Sequence, residues 1–134
     1  MSRRMREYQD TRVHLCLYLI SPTGHGLRAI DLVTMKQLQD KVNLIPVIAK
    51  SDAITKEELQ LFRQRVRTQL SDGQIEVYQL PVDDLDTADK NAAMNALSPF
   101  AVIASDDFDM VNGRRLRCRT YPWGTVQVNQ LPSF

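Results

Sequence analysis

The chain has 134 residues, 43% of them hydrophobic and 25% charged, with a formal net charge of +1, which suits one domain with a buried core and gives no overall field to attract nucleic acid. No apolar run approaches the roughly 20 residues of a membrane span, and residues 1–12 lack the apolar centre of a signal peptide. The two cysteines, Cys16 and Cys118, stand singly in apolar segments, so free thiols of a cytoplasmic protein are expected rather than a disulfide or a metal site.

The first predicted element is a strand over residues 13–20, which is almost entirely apolar. Such a run is typical of a strand covered on both faces, as in a parallel sheet. The loop that follows, residues 21–26, lies at the carboxyl end of this strand and contains His25 between two glycines. His25 is therefore a candidate functional residue, and a histidine that only serves the turn is an equal alternative.

A helix is predicted over residues 27–41, with an apolar face formed by Leu27, Ile30, Val33 and Leu38. A second strand, residues 44–49, leads directly into Lys50 and Asp52. A guanine base presents two adjacent donors that one carboxylate can accept, and the aliphatic stem of a lysine can lie along the ring. Lys50 and Asp52 are therefore a candidate base-recognition pair, with an ordinary charged loop as the alternative.

The clearest helix prediction covers residues 55–72, because Thr55 and Glu58 form a capping box ahead of an apolar stripe. Further elements are predicted at 75–80 (a strand), 87–97 (a helix) and 100–104 (a strand). Strands that alternate with helices predict an α/β fold with a mostly parallel sheet and helices on its faces. Three loops, 21–26, 50–54 and 104–107, then meet at one edge of the sheet, which is the layout of a nucleotide site.

A β-hairpin is predicted between residues 109 and 121, because Asn112-Gly113 suits the backbone of a tight turn. One face of its return strand carries Arg115, Arg117 and Arg119. For the first two of these arginines a solvated basic face is the preferred interpretation. Tyr121 and Trp123 flank a proline, and this pattern predicts a packing or interface anchor.

These residues together resemble a septin, a filament-forming guanine-nucleotide-binding protein of the cytoskeleton. The matching segments are residues 10–14, 22–27, 32–33, 41–52, 99–103 and 119–128. The block Arg-Thr-Tyr-Pro-Trp-Gly-Thr-Val-Gln-Val at 119–128 is the most specific of them. The resemblance implies a P-loop-NTPase-like (Ras-like) three-layer sandwich, a GTP or GDP ligand and GTPase activity.

The resemblance also implies roles for particular residues. Nucleotide binding maps to Lys50, Ser51, Asp52, Glu58, Ala104 and Arg119, and the subunit interface on the nucleotide side maps to His25, Tyr121 and Trp123. Two positions depart from the family pattern, which usually has glycine where this chain has Ala104 and alanine where it has Ser51. The backbone at Ala104 is expected to contact the base, and the Arg119 guanidinium is expected to pack on its face.

Two segments expected of a GTPase do not occur in the sequence: Gly-x-x-x-x-Gly-Lys-[Ser/Thr], which cradles phosphates, and Asp-x-x-Gly, which serves Mg²⁺. The expected organisation is therefore an arm at 1–12, a partial septin-type G domain at 13–128 and a divergent tail at 129–134. We expect base recognition without phosphate recognition, no hydrolysis by this chain alone, and Mg²⁺ only if the other half were present. A truncated isoform, a partial gene model and an expressed fragment are the alternatives.

The partners implied by the resemblance are other septins, in hetero-oligomers and filaments of the cell cortex and the division site during cytokinesis. The alternative is a non-catalytic fragment that acts only as an interaction module or interferes with septin assembly. Membrane contact through the hairpin arginines is a weaker option than a solvated surface. The strand at 13–20 is expected to have an open edge, so the isolated chain should be marginally stable or self-associate.

Overall fold

The computed structural model describes residues 10–83 and 86–127. Predictions for residues 1–9, 84–85 and 128–134, which include most of the arm and the tail, lie outside them. The elements in chain order are β1 (Leu15–Ile20), α1 (Ala29–Leu38), β2 (Asn43–Ile48), α2 (Lys56–Asp72), α3 (Ala88–Ala96), β3 (Phe100–Ala101), β4 (Phe108–Val111), β5 (Arg114–Tyr121) and β6 (Gly124–Gln127).

A parallel sheet of three strands, in the order β1-β2-β3, forms the centre of the chain. Leu15 of β1 lies opposite Asn43 of β2, and Ile48 of β2 lies opposite Ala101 of β3. Because all three strands run the same way, the segments that follow them leave at the same edge of the sheet. The predicted meeting of three loops at one edge is confirmed at the level of this topology.

The strand predicted at 75–80 is wrong. In this segment Ile75 is buried and Glu76 is exposed, as the alternation required. Among the described residues, however, a single backbone amide of the segment bonds to the sheet, from Tyr78 N–H to the Leu44 carbonyl, at 2.8 Å. The backbone N–H and C=O of Leu80 are instead taken by the side-chain amide of Asn95, at 2.8 and 2.9 Å. Alternating burial therefore arises here without the repeated backbone ladder that defines a strand.

Helix α2 begins where the capping box predicted. Thr55 Oγ1 accepts from Glu58 N–H at 3.2 Å, and the Glu58 carboxylate accepts from Thr55 N–H at 2.9 Å. Its apolar stripe, Phe62, Val66 and Leu70, is buried. The face predicted for α1 is wrong in part, since Ile30 and Val33 are exposed and Met35 is the buried residue of that helix.

A second sheet is antiparallel, in the order β4-β5-β6. The predicted turn joins β4 to β5, with positive φ values of 50° at Asn112 and 76° at Gly113. Strand β6, which was not predicted, pairs with the end of β5 and places Thr120 opposite Thr125. Two turns thus fix the position of β5, whose odd-numbered residues share one face.

The core lies between the parallel sheet and helices α1 and α2, and its most buried members include Met35, Leu44, Ile48 and Val66. The expectation that β1 is covered on both faces is wrong for the described residues. Cys16, Tyr18 and Ile20 face the core, whereas the residues between them are exposed. No helix among the described residues is long and apolar enough to cross a membrane.

Candidate functional site

The carboxylate of Asp52 is the centre of the candidate site. A single 3₁₀ turn, Ser51–Ala53, follows β2 and carries this side chain at the carboxyl edge of the parallel sheet. The Asp52 side chain is only 1% exposed, and its Oδ1 atom has no hydrogen-bond partner among the described residues. A buried carboxylate oxygen without a donor loses its hydration and gains nothing in return, so it is a strong acceptor for a ligand.

The other oxygen of this carboxylate is held by strand β5. Tyr121 donates its hydroxyl hydrogen to Asp52 Oδ2, and the Nη1 of Arg119 lies 3.4 Å from the same oxygen. The Arg119 guanidinium, 41% exposed, also lies 5.3 Å from the centre of the Tyr121 ring. The antiparallel sheet therefore brings a cation and a hydroxyl to a carboxylate that is far away in sequence.

Tyr121 and Trp123 stack on each other, with ring centres 4.9 Å apart and planes 8° from parallel. Trp123 is nevertheless 72% exposed. A large exposed aromatic surface beside a buried polar site is a feature of interaction surfaces. The structure thus places two of the three predicted interface residues next to the predicted base site.

The turn before Asp52 has an unusual backbone. Lys50 has φ 50° and ψ 44°, in the left-handed region that a residue with a side chain rarely adopts. Ser51 fixes the turn, because its backbone N–H and its hydroxyl both donate to the Val102 carbonyl, each at 3.2 Å. Such backbone strain, held by neighbouring contacts, is concentrated at functional sites.

Three predicted site residues lie elsewhere or make no specific contact. Glu58 caps α2 and lines a cavity of about 310 Å³ with Thr23 and Gly24. His25 lines a second cavity, of about 440 Å³, against α2. Ala104 is exposed in the segment after β3. The nucleotide roles of Glu58 and Ala104 and the interface role of His25 stay predictions.

Sequence reasoning missed the residues that tie the loops together. Ser105 donates its hydroxyl hydrogen to the Cys118 carbonyl, and Cys118 N–H donates to the Asp107 carbonyl at 3.0 Å. These bonds join the segment after β3 to β5. A serine followed by two aspartates indicates a local side-chain turn, but not its partner strand.

Comparison with known proteins identifies the family of this chain. The family profile described as Septin matches residues 1–133. The chain belongs to the septin family. It is 49% identical over 128 residues to Septin-2 of Drosophila melanogaster and 50% identical over 126 residues to Septin-8 of Mus musculus. These matches cover 96% and 94% of this chain, but 30% and 29% of the two relatives.

Two solved septin structures share its fold. Cdc11 from Saccharomyces cerevisiae superposes with a TM-score of 0.65 at 38% identity, over 81% of this chain and 53% of that one. The septin GTPase domain from Chlamydomonas reinhardtii superposes with a TM-score of 0.70 at 29% identity, over 92% of this chain and 48% of that one. The fold is that of a septin GTPase domain, a P-loop NTPase fold, and this septin chain spans about half of each solved chain.

Proposed function

We propose that this septin chain carries the base-recognition half of a guanine-nucleotide site and that Asp52 accepts the two donors on one edge of guanine. The observation that supports this proposal is that Oδ1 of Asp52, in a side chain 1% exposed, has no hydrogen-bond partner within residues 10–83 and 86–127. An unsatisfied buried acceptor costs roughly 1–3 kcal/mol, which a ligand N–H would offset on binding. Guanine presents two such donors side by side, and adenine does not.

The neighbours of Asp52 suit a flat heteroaromatic ligand. Arg119 carries a planar guanidinium that remains partly exposed beside the carboxylate, in a position to stack on a base. The stem of Lys50, whose left-handed backbone turns the chain at the end of the sheet, is proposed to lie along the other side of the ring. Ser51 holds the turn, and the backbone at Ala104 is proposed to meet the base edge.

The proposal concerns the base and not the phosphates. No phosphate-cradling Gly-x-x-x-x-Gly-Lys-[Ser/Thr] segment occurs in the printed sequence. Among residues 10–83 and 86–127 no group of three or more His, Cys, Asp or Glu side chains is placed to hold a metal ion. The proposed base site involves no residue assigned to Mg²⁺ or to phosphoryl transfer.

The exposed stack of Trp123 on Tyr121 supports an assembly role beside the base site. We propose that this surface, with His25, contacts another septin across the nucleotide side in a hetero-oligomer. From the family, we propose a cytoskeletal role at the cell cortex and in cytokinesis. A part of the domain that binds a partner without hydrolysing GTP would act as an interaction module or interfere with assembly.

The test is a comparison of GDP, XDP and ADP binding to the chain and to its Asp52→Asn variant. XDP keeps the ring N–H of guanine and has a carbonyl oxygen where GDP has the exocyclic amine, so an asparagine amide can donate to that oxygen and accept from the ring N–H. We expect the parent chain to bind GDP about tenfold or more tightly than ADP. The Asp52→Asn variant should lose affinity for GDP and gain affinity for XDP. Calorimetry measures tight complexes and ligand-observed NMR measures weak ones.

The control is Asp106→Asn, which neutralises an exposed carboxylate on the segment after β3. It should leave the preference for GDP unchanged. Binding of XDP by Asp52→Asn would also show that this variant is folded. Equal binding of GDP by the parent chain and by Asp52→Asn would refute the proposed role of Asp52.

A further inference from the structure

Tyr121 contacts the proposed base site through its hydroxyl, a contact that a role in a subunit interface does not require. Its hydroxyl donates to Asp52 Oδ2, while its ring stacks on Trp123. We infer that Tyr121 is a positioning residue that fixes the Asp52 carboxylate and thereby sets the selectivity of the site for a base with two adjacent donors. This inference rests on the proposed function.

The first step concerns the freedom of the carboxylate. The terminal torsion of an aspartate is broad, so an unanchored carboxylate samples many orientations. A carboxylate is planar, and a hydrogen bond that fixes one oxygen also fixes the direction of the other. With Oδ2 bonded to the Tyr121 hydroxyl, Oδ1, which has no partner in the part of the chain that the structure describes, points in a defined direction.

The second step concerns the rigidity of Tyr121 itself. It ends β5 and lies opposite Gly124 of β6, so its backbone is held in the antiparallel sheet. Its ring is stacked at 4.9 Å on Trp123, and the Arg119 Cζ atom lies 5.3 Å from the ring centre. A hydroxyl on a ring with these contacts is preorganised, which is what a supporting residue needs in order to orient its partner.

The third step is that Tyr121 leaves lone pairs of the Asp52 carboxylate unused. An ionised carboxylate offers about four lone-pair directions, two on each oxygen. The Tyr121 hydroxyl uses one on Oδ2, and Arg119 Nη1, at 3.4 Å, makes a longer contact. Oδ1 is free among the described residues, so a base can bond to Oδ1 and share Oδ2. Tyr121 therefore supports such a ligand and does not displace it.

The test is Tyr121→Phe, which removes the hydroxyl and keeps the ring that stacks on Trp123. The ligands are GDP and IDP. The base of IDP lacks the exocyclic amine of guanine and so offers one donor on this edge, where the base of GDP offers two. We expect affinity for GDP to fall by about fivefold to tenfold and affinity for IDP by about twofold, so that the preference for GDP narrows. Loss of stacking or of stability alone would lower both affinities by the same factor.

The matched control is Tyr18→Phe, because Tyr18 also donates its hydroxyl hydrogen to a carboxylate, that of Asp31, at 2.9 Å. Tyr18 projects from β1 onto α1, so this variant should leave the GDP-to-IDP ratio unchanged. A tighter complex of Tyr121→Phe with GDP would show that the hydroxyl competes with the ligand and would overturn the inference. An unchanged ratio would overturn it as well.

Failure of the proposed function is a separate outcome, seen when the parent chain itself shows no preference for GDP over ADP. In that case the contact is tested without ligand, through urea unfolding of Tyr121→Phe, Asp52→Asn and the double variant. If the contact positions the carboxylate, the change in the unfolding constant of the double variant should differ by about fivefold or more from the product of the changes in the two single variants. Additive effects would exclude the positioning role.

Discussion

At the scale of single residues, Asp31 shows how a partly buried carboxylate is kept charged. It accepts hydrogen bonds from the Tyr18 hydroxyl at 2.9 Å and from Arg28 N–H at 3.0 Å. Burial is the largest effect and pushes the pKa of Asp31 upward, but the hydrogen bonds from Arg28 and Tyr18 together outweigh it and leave the pKa below 3.8. The exposed Asp10 differs, because bonds from Arg12 lower its pKa to about 2 with little burial to oppose them.

Replacement of Asp31 by asparagine is predicted to destabilise the chain by about 1–2 kcal/mol at neutral pH, because the four donors that Tyr18 and Arg28 supply lose a charged acceptor. A carboxyl whose pKa is lower in the folded state stabilises the fold above its unfolded pKa of 3.8, and this contribution is lost as the pH falls through its folded value. Urea unfolding across pH 2–7 should therefore show a flatter acid limb for Asp31→Asn. The exposed Asp40→Asn serves as the control, and coincident curves for Asp31→Asn and the parent would contradict this account.

At the scale of elements, helix α2 organises the loop that carries His25. The side-chain amide of Gln69 accepts from Leu27 N–H at 2.7 Å and donates to the Leu27 carbonyl at 3.2 Å. Gly26 has φ 84°, and a Cβ at this position would lie 2.4 Å from Gln69 Oε1. Arg65 adds a hydrogen bond to the Gly24 carbonyl. The loop after β1 is thus fixed on α2 by two side chains of that helix.

Gln69→Ala is predicted to release this loop and leave α2 intact, since alanine is a good helix former. The loss of two hydrogen bonds to one buried backbone position should cost about 1–2 kcal/mol of unfolding free energy. Amide hydrogen exchange at Leu27 should accelerate, while exchange within α2 should change little. Gln64→Ala, on an exposed position of the same helix, is the matched control. Unchanged protection at Leu27 would show that Gln69 does not hold the loop.

The elements that sequence predicted well are those with local signals. The capping box placed the start of α2, and Asn112-Gly113 placed the β-hairpin, because each of these signals acts within a few residues. The strand wrongly predicted at 75–80 and the strand β6 that was not predicted have a common cause. Whether a segment forms a strand depends on which of its backbone groups find hydrogen-bond partners in distant parts of the chain. For the same reason the bond between Tyr121 and Asp52, 69 residues apart, has no local signature. Tyr121 was connected with the nucleotide side only through the family resemblance.

At the scale of the whole molecule, the outward face of strand β1 is apolar and exposed. The outward residues of β1 include Leu15, Leu17 and Leu19, and the latter two are 58% and 65% exposed. Among the described residues β1 pairs only with β2 and so lies at the edge of the parallel sheet. An exposed apolar face beside an unpaired strand edge favours association of chains. The matched relatives are much longer than this chain.

The isolated chain is therefore predicted to self-associate at micromolar concentration, and Leu17→Glu should shift it toward the monomer. If two chains associate through their β1 strands, face to face or edge to edge, the new carboxylate of each chain would lose its hydration and would repel that of the other chain. Sedimentation velocity over a concentration series measures the shift. The control is Met110→Glu, at a residue of the antiparallel sheet that is 65% exposed. It adds the same charge and should leave the association of the chain unchanged. A parent chain that sediments as a monomer and melts cooperatively would contradict the prediction, because the exposed face of β1 would then be tolerated by the folded monomer.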